Sequence, residues 1–299
     1  MFAVIAIVIL SASVSQMFAS AGPQDPLRTR VNLILVPVTV TDRRGATVNG
    51  LARENFTILE DNTPQNILSF SIQEAPCSVG IILDASGSML RTMRDAKIVA
   101  ERFLTAANPE DDFFLLTVST RPASYSGFTS DLDALWKDVL LTKPGGRTAL
   151  IDTIYLGVNR VRSARNHRRA LLIVSDGMDN YSRFTHSELM RVAMETDVQI
   201  YTVAMGEFPR NRKPIELQEE RHGRSLLRDV AQKTGGLYFE ATRPADVDEV
   251  ATNIGRAVRN QYVIGYQRPD GGGAERWHSI KVKLNGSNAN VNTRNGYYR

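Results

Sequence analysis

Residues 79–88 read VGIILDASGS, an apolar segment followed directly by a polar one. The continuous apolar run from Val79 to Leu83 is typical of a strand that is buried on both faces of a sheet. A polar loop follows it immediately, beginning with Asp84. Runs of similar character recur further along the chain, at 113–118, 170–174, 198–204 and 237–239. We therefore predict several buried strands, each followed by a short loop.

Helical patterns separate these predicted strands. Apolar residues recur at helical spacing over 93–104 and over 150–161, and residues 185–188 read as a capping box before a further helix. Buried strands that alternate with amphipathic helices predict an α/β fold with a doubly wound, mostly parallel sheet. In such sheets, ligands bind beyond the carboxyl ends of the strands, where the strand order reverses. Polar motifs directly after strands are therefore the first candidates for a functional site.

The two ends of the chain follow a different pattern. Strand-like segments precede the α/β region at 31–40, 56–59 and 67–72, and others follow it at 262–266, 278–284 and 289–293. Each set is too small to form a stable sandwich alone. We predict that both sets form one small β-sandwich-like domain into which the α/β domain is inserted. The predicted segments are 1–21 (signal peptide), 22–75 (first half of the β-domain), 76–261 (inserted domain) and 262–299 (second half of the β-domain).

The N-terminus predicts export. Phe2 to Leu10 is apolar, and Ala19-Ser20-Ala21 forms a small-x-small cleavage pattern before Gly22. No Lys or Arg precedes the apolar run, so an uncleaved anchor over residues 2–18 stays open as an alternative. Either reading places the protein in the periplasm, on the cell surface or outside the cell. No other segment approaches 18 consecutive apolar residues, the length that a spanning helix needs.

Composition narrows the class of protein further. The 299 residues are enough chain for two cores, and 42% hydrophobic with 23% charged residues is typical of globular proteins. The 36 basic and 32 acidic residues are interspersed, which argues against a nucleic-acid-binding surface. Cys77 is the sole cysteine, so an intramolecular disulfide is excluded. The charged segment 209–224 is predicted to be an exposed loop, and the arginines of 160–169 are predicted to form the solvated tail of a helix.

Hard oxygen ligands follow three of the predicted elements. Asp84, Ser86 and Ser88 come directly after the first buried strand, and Asp176 comes after the strand that ends at Val174. Thr148 follows a Gly-Gly pair at the entrance to a helix. Two carboxylates and three neutral hydroxyls suit Mg²⁺, with Mn²⁺ or Ca²⁺ as alternatives, and keep an open position on the ion. Such a site could accept a carboxylate from a partner.

These residues resemble the von Willebrand factor type A domain, whose metal-ion-dependent adhesion site is Asp-x-Ser-x-Ser with a distant Thr and a distant Asp. All five positions match, as Asp84, Ser86, Ser88, Thr148 and Asp176. The outer segments resemble a bacterial subgroup described from acidobacteria, on the following motifs: Asp42-Arg43-Arg44-Gly45, Glu60-Asp61, Thr234-Gly235-Gly236, Gly265-Tyr266 and Asn295-Gly296-Tyr297-Tyr298. The resemblance implies a binding or adhesion module that grips an Asp or Glu of a protein partner.

Two other functions remain open on the sequence alone. The first is a metal-dependent hydrolase that uses the same ion, for which Asp179 is the only spare carboxylate near the motif. A Gly-x-Ser-x-Gly nucleophile motif is absent around Ser86, and the four histidines show no paired spacing. The second is a secreted scaffold in which the metal is incidental. We therefore predict a non-enzymatic protein with no catalytic residue and no organic cofactor.

Overall fold

A central sheet of six strands organises the computed structural model, which describes residues 33–73, 75–124, 127–206, 214–267 and 276–298. The strand order is β10-β9-β8-β5-β6-β7, and all neighbours are parallel except β6 and β7. The strands are β5 (Cys77–Asp84), β6 (Asp112–Val118), β7 (Ala123–Ser124), β8 (Arg168–Ser175), β9 (Gln199–Met205) and β10 (Tyr238–Ala241). Since β5 lies between β6 and β8, the strand order reverses at its carboxyl end, where a ligand is expected.

Helices cover both faces of this sheet. They are α1 (Met93–Thr105), α2 (Leu132–Leu141), α3 (Leu150–Val161), α4 (His186–Glu195), α5 (Pro214–Thr234) and α6 (Val247–Arg259). Every residue of β5 is buried, and its side chains alternate between two cores. Ile81 packs in the core that contains residues of α1, α2 and α6, and Ile82 packs in the core that contains residues of α3, α4 and α5. The apolar run therefore reflects burial on both faces, as the sequence predicts.

Two antiparallel sheets come from the ends of the chain. Their strands are β1 (Leu33–Thr41), β2 (Phe56–Glu60), β3 (Thr63–Gln65), β4 (Ile67–Gln73), β11 (Gln261–Gln267), β12 (Trp277–Leu284), β13 (Asn290–Asn292) and β14 (Gly296–Tyr298). The orders are β13-β1-β11-β4 and β14-β12-β2-β3, so each sheet combines strands from both ends of the chain. Val38 and Tyr262 of one sheet share a core with Ile58 and Ile280 of the other.

The predicted fold class is confirmed by this architecture: a largely parallel α/β sheet flanked by helices, with antiparallel sheets built from both ends. The capping box is present, because Thr185 Oγ1 accepts from the Glu188 N–H and Glu188 Oε2 accepts from the Thr185 N–H. The signal peptide at 1–21 lies outside the described residues. The segment boundaries remain a prediction.

Two local predictions are wrong. The exposed loop predicted over 209–224 is a helix from Pro214 onward, and residues 209–213 lie outside the described residues. Among the residues of this helix whose side chains are described, Leu226 and Leu227 are the first apolar ones to reach the core. In the basic segment, Arg168 and Arg169 belong to β8, and α3 ends at Val161. Within the described ranges, no helix has the length and apolar character that crossing a membrane requires.

Candidate metal centre

Asp84 is the last residue of β5 and is fully buried. Its Oδ1 accepts a hydrogen bond from the Ser86 N–H at 2.9 Å, and its Oδ2 accepts one from the Ser175 hydroxyl at 2.5 Å. Ser175 ends β8, so this contact joins two neighbouring strands at their carboxyl ends. The Ser86 and Ser88 hydroxyl oxygens lie 2.9 Å apart. Three of the predicted ligands therefore form one contiguous cluster.

Backbone hydrogen bonds hold the segment before Thr148 against this loop. The Gly145 N–H donates to the Ala85 carbonyl at 2.8 Å, and the Gly87 N–H donates to the Gly146 carbonyl at 3.1 Å. Gly146 has a φ of +81°, which favours glycine and turns the chain towards Thr148. Thr148 itself is 2% exposed. The second segment is thus fixed to the first independently of any ion.

Asp176 follows β8, and its Oδ1 accepts from the Met178 N–H at 3.0 Å. The same loop is bonded to Thr148, because the Thr148 N–H donates to Asn180 Oδ1 and the Asn180 N–H donates to the Thr148 carbonyl, both at 3.0 Å. Gly177 has a φ of +82°, and a Cβ at this position would lie 2.5 Å from the Gly223 backbone of α5. All three predicted segments are therefore joined at one edge of the sheet.

The electrostatics of this edge favour a cation. Burial, and secondarily the Asp176 carboxylate, raise the pKa of Asp84 to about 6, although hydrogen bonds from Ser175 and Ser86 oppose the shift. No Lys or Arg within the described residues forms an ion pair with Asp84 or Asp176. Two neighbouring carboxylates without a counter-charge, beside three neutral hydroxyls, form a donor set of the kind that hard divalent cations prefer. The residues present therefore fit such an ion.

Comparison with known proteins agrees with this arrangement. Residues 79–178, which span β5 to the Asp176 loop, match the family model of the von Willebrand factor type A domain. The chain contains a von Willebrand factor type A domain. The match includes all five residues of the candidate centre. It leaves out the two antiparallel sheets and α4 to α6.

Solved structures of the same type share the fold. A von Willebrand factor type A protein from Catenulispora acidiphila is 12% identical, with 81% of this chain and 74% of that chain covered and a TM-score of 0.52. Proximal thread matrix protein 1 from the mussel byssus, described with a zinc-occupied MIDAS motif, is 13% identical, with 67% of this chain and 49% of that chain covered and a TM-score of 0.52. At these identities the likeness concerns the fold.

One curated relative matches at the level of sequence. It is an uncharacterized protein from Borreliella burgdorferi, 21% identical over 183 residues, which are 55% of this chain. The match spans 54% of the relative's length, so this chain covers about half of the curated relative it matches.

A second group that could hold a metal ion lies in the antiparallel sheets, and sequence reasoning missed it. Ligand atoms of Glu60, Asp61 and His278 lie within 4.8 Å of one another. His278 Nδ1 is 3.2 Å from Glu60 Oε1 and 3.1 Å from Asp61 Oδ2, and Tyr266 donates to Glu60 Oε2 at 2.5 Å. More than 200 residues separate His278 from the two acids, so no spacing motif could reveal the group.

Proposed function

We propose that this protein is a non-enzymatic binding module that holds a divalent cation, Mg²⁺ by preference, and uses it to grip an acidic residue of a protein partner. The proposed ligands are Asp84, Ser86, Ser88, Thr148 and Asp176. The observation that carries the proposal is the pair of neighbouring carboxylates, Asp84 and Asp176, without a described counter-charge and beside three hydroxyl side chains.

The carboxylates and the hydroxyls of the proposed centre have different roles. Asp84 and Asp176 supply the negative charge. The Ser175 hydroxyl donates to Asp84 Oδ2, and the Met178 N–H donates to Asp176 Oδ1. Hydrogen bonds of this type orient ligating carboxylates. A bound Mg²⁺ would supply a positive centre that attracts a carboxylate. Because the remaining ligands are neutral hydroxyls, the protein adds no charge beyond its two carboxylates, and an open position on the ion could take a carboxylate from a partner.

The surface around the centre suits a protein partner. Leu90 is 70% exposed two residues after Ser88, and Tyr181 is 45% exposed five residues after Asp176. The Arg147 guanidinium lies 5.1 Å from the centre of the Tyr181 ring, directly beside Thr148. Exposed apolar and aromatic residues next to arginine are the composition that protein interfaces favour. The proposal therefore includes contact between this rim and the partner.

Asp179, the carboxylate that the hydrolase alternative would use, is already engaged in hydrogen bonds. Asp179 Oδ1 accepts from the Leu150 N–H at 2.9 Å and from the Ser182 hydroxyl at 2.6 Å. It therefore caps the N-terminus of α3, a role in which a carboxylate is favoured by the helix dipole. This occupation supports the non-enzymatic proposal. The apolar N-terminal segment and its cleavage pattern support export, so the proposed partner is a protein in the periplasm or outside the cell, with nucleic acid not expected.

The test uses Mn²⁺ as a paramagnetic probe. Purified protein is titrated with Mn²⁺ while the relaxation of water protons is followed, and N-acetyl-glutamate methylamide is then added. We expect an ion at this centre, high water relaxation from its open position, and a drop when the carboxylate displaces that water. N-acetyl-glutamine methylamide, which has the same shape without the charge, is the control and should cause no drop.

Two variants complete the test. Asp84→Ala should abolish ion binding at this centre. Thr148→Ala should lower the affinity for the glutamate probe more than it lowers the affinity for Mn²⁺. Thr252→Ala, which removes an exposed hydroxyl on α6, should behave as the wild type. Equal ion binding by wild type and Asp84→Ala would refute the proposed centre. Equal effects of the glutamate and glutamine probes would refute its role in recognition.

A further inference from the structure

Glu60, Asp61 and His278 bring an imidazole and two carboxylates together in the antiparallel sheets. Glu60 ends β2, and Asp61 follows it in the turn to β3. His278 lies on β12, which pairs with β2. The side chains of Glu60 and His278 are only 6% and 5% exposed. The group therefore joins strands from both ends of the chain and is largely shielded from water.

The spacing of the three side chains suits a small divalent ion. His278 Nδ1 lies 3.2 Å from Glu60 Oε1 and 3.1 Å from Asp61 Oδ2. Zinc binds nitrogen and carboxylate oxygen at about 2.0–2.2 Å, so two ligands of a tetrahedral zinc ion lie roughly 3.3–3.6 Å apart. Because ionised carboxylates only accept hydrogen bonds, Nδ1 carries the proton here. A metal ion would replace this proton with little movement of the ligand atoms.

The other oxygens of the two carboxylates are held by donors outside the group. Glu60 Oε2 accepts from the Tyr266 hydroxyl at 2.5 Å and from the Tyr297 hydroxyl at 3.3 Å. Asp61 Oδ1 accepts from the Ser279 N–H at 2.9 Å. Outer hydrogen bonds of this type orient the ligands of metal sites. Each carboxylate is therefore fixed with one oxygen towards His278 before any ion binds.

Arg276 approaches the group and balances part of its charge. Its guanidinium lies 3.9 Å from Asp61 Oδ2, and its Nε lies 3.5 Å from His278 Nε2. The Arg276 side chain is 70% exposed, so it can turn into solvent, and exposed ion pairs of this kind contribute little stability. Two carboxylates beside a neutral imidazole then leave a double negative charge, which a divalent cation would neutralise.

We propose that Glu60 Oε1, Asp61 Oδ2 and His278 Nδ1 bind a divalent transition-metal ion, Zn²⁺ by preference, with water as the fourth ligand. The imidazole nitrogen in this set favours Zn²⁺ over Mg²⁺, so the site differs in its chemistry from the proposed centre at Asp84. The ion would link β2 to β12. Its binding free energy would therefore stabilise the sheets that the two ends of the chain build together.

The test uses Co²⁺, which accepts the same ligands as Zn²⁺ and absorbs visible light strongly when it is four-coordinate. A six-coordinate oxygen site gives only a weak band. We expect a strong band from the full chain and also from its Asp84→Ala variant, in which the other centre is removed. Zn²⁺ should displace Co²⁺ and should raise the melting temperature, because an ion that binds only the folded state stabilises it.

Asp61→Asn removes one ligand charge at a partly exposed turn and should lower the Co²⁺ affinity of the full chain at least about tenfold. Asp42→Asn is the matched control, since Asp42 Oδ1 also accepts backbone N–H bonds in a turn after a strand of these sheets. It should bind Co²⁺ as the wild type does. Absence of a strong band, or equal affinities of the two variants, would overturn the inference. Neither result would touch the proposed function, which the glutamate probe tests at the other centre.

Discussion

Asp84 is held in an environment that penalises its own charge. Its pKa is raised from 3.8 to about 6, first by burial and then by Asp176. The folded state therefore keeps the proton to a higher pH than the unfolded chain does. The protonated Asp84 carboxyl therefore stabilises the folded state. This stabilisation is complete below about pH 4, near the pKa of the unfolded chain, and is lost as the pH rises through about 6. At neutral pH the buried charge of Asp84 destabilises the folded, ion-free protein, and a bound cation would offset this destabilisation.

Asp84→Asn tests this directly. At pH 7.5 in EDTA, we expect the variant to unfold with a free energy about 1–2 kcal/mol higher than that of wild type, because the amide carries no charge beside Asp176. The gain is smaller than the full pKa shift implies, since the Ser175 hydroxyl loses its charged acceptor. Urea denaturation at pH 4 and pH 7.5 provides the measurement. A wild-type advantage at pH 7.5 without the ion would contradict this explanation.

The ligands of the candidate centre could be predicted from the sequence, whereas several contacts of their side chains could not. Asp84, Ser86 and Ser88 are local in the chain, and Thr148 and Asp176 follow recognisable elements, so their shared sheet edge could be predicted. The Ser175 hydroxyl on Asp84, the Asp179 cap on α3 and the His278 contact with Glu60 and Asp61 could not. Each of these depends on side chains meeting across elements, which periodicity does not encode.

At the scale of elements, α5 is the part of the α/β region whose first half is predicted wrongly from the sequence. The sequence of its first half is rich in charged residues, and for that reason residues 209–224 are predicted to be an exposed loop. What places this half is Gly223, which packs against Gly177 at the proposed metal loop. A contact between two glycines leaves no trace in a hydrophobic pattern. The contact between α5 and the metal loop therefore could not be predicted from the sequence.

Gly223→Ala tests the coupling between α5 and the metal loop. Helix propensity alone would stabilise α5 by up to about 1 kcal/mol, but the added Cβ would lie 2.5 Å from the Gly177 backbone. We expect the clash to prevail, with a net loss of about 1–3 kcal/mol and weaker Mn²⁺ binding, although no proposed ligand is changed. Calorimetry and thermal melting measure both effects.

The control for this change is Gly127→Ala, where an added Cβ meets nothing within 4 Å. It should leave melting and Mn²⁺ binding unchanged. A Gly223→Ala protein that is more stable than wild type and binds Mn²⁺ equally would show that α5 does not position the loop.

At the scale of the whole molecule, the two antiparallel sheets depend on both ends of the chain. β12 lies between β2 and β14, and Ile280 packs in the same core as Val38 and Ile58. The last segment also contacts the α/β region, since Arg294 pairs with Asp197 at 2.5 Å and the Asn295 N–H donates to the Lys233 carbonyl. The general plan was predictable from strand patterns at both ends. These cross-contacts were not.

Ending the chain after Gln267 should therefore expose the apolar face of β2 and the shared core. We expect the truncated protein to aggregate, because an unpaired strand with exposed apolar residues is prone to intermolecular pairing. Size-exclusion chromatography and thermal melting against the full chain provide the measurement. A monomeric truncated protein with an unchanged melting curve would show that the two halves are independent.

The route by which the chain enters and leaves the inserted domain has a mechanical consequence. β4 leads into it and β11 leads out of it, and Gln73 and Gln261 are direct partners on these adjacent antiparallel strands. A pull on the domain would reach the sheet at this single end of the pair. Tension applied there opens hydrogen bonds one after another, like a zipper, instead of shearing them all together. We expect that a force applied to the inserted domain separates β4 from β11 at a lower value than a force applied along the strands of the same sheet.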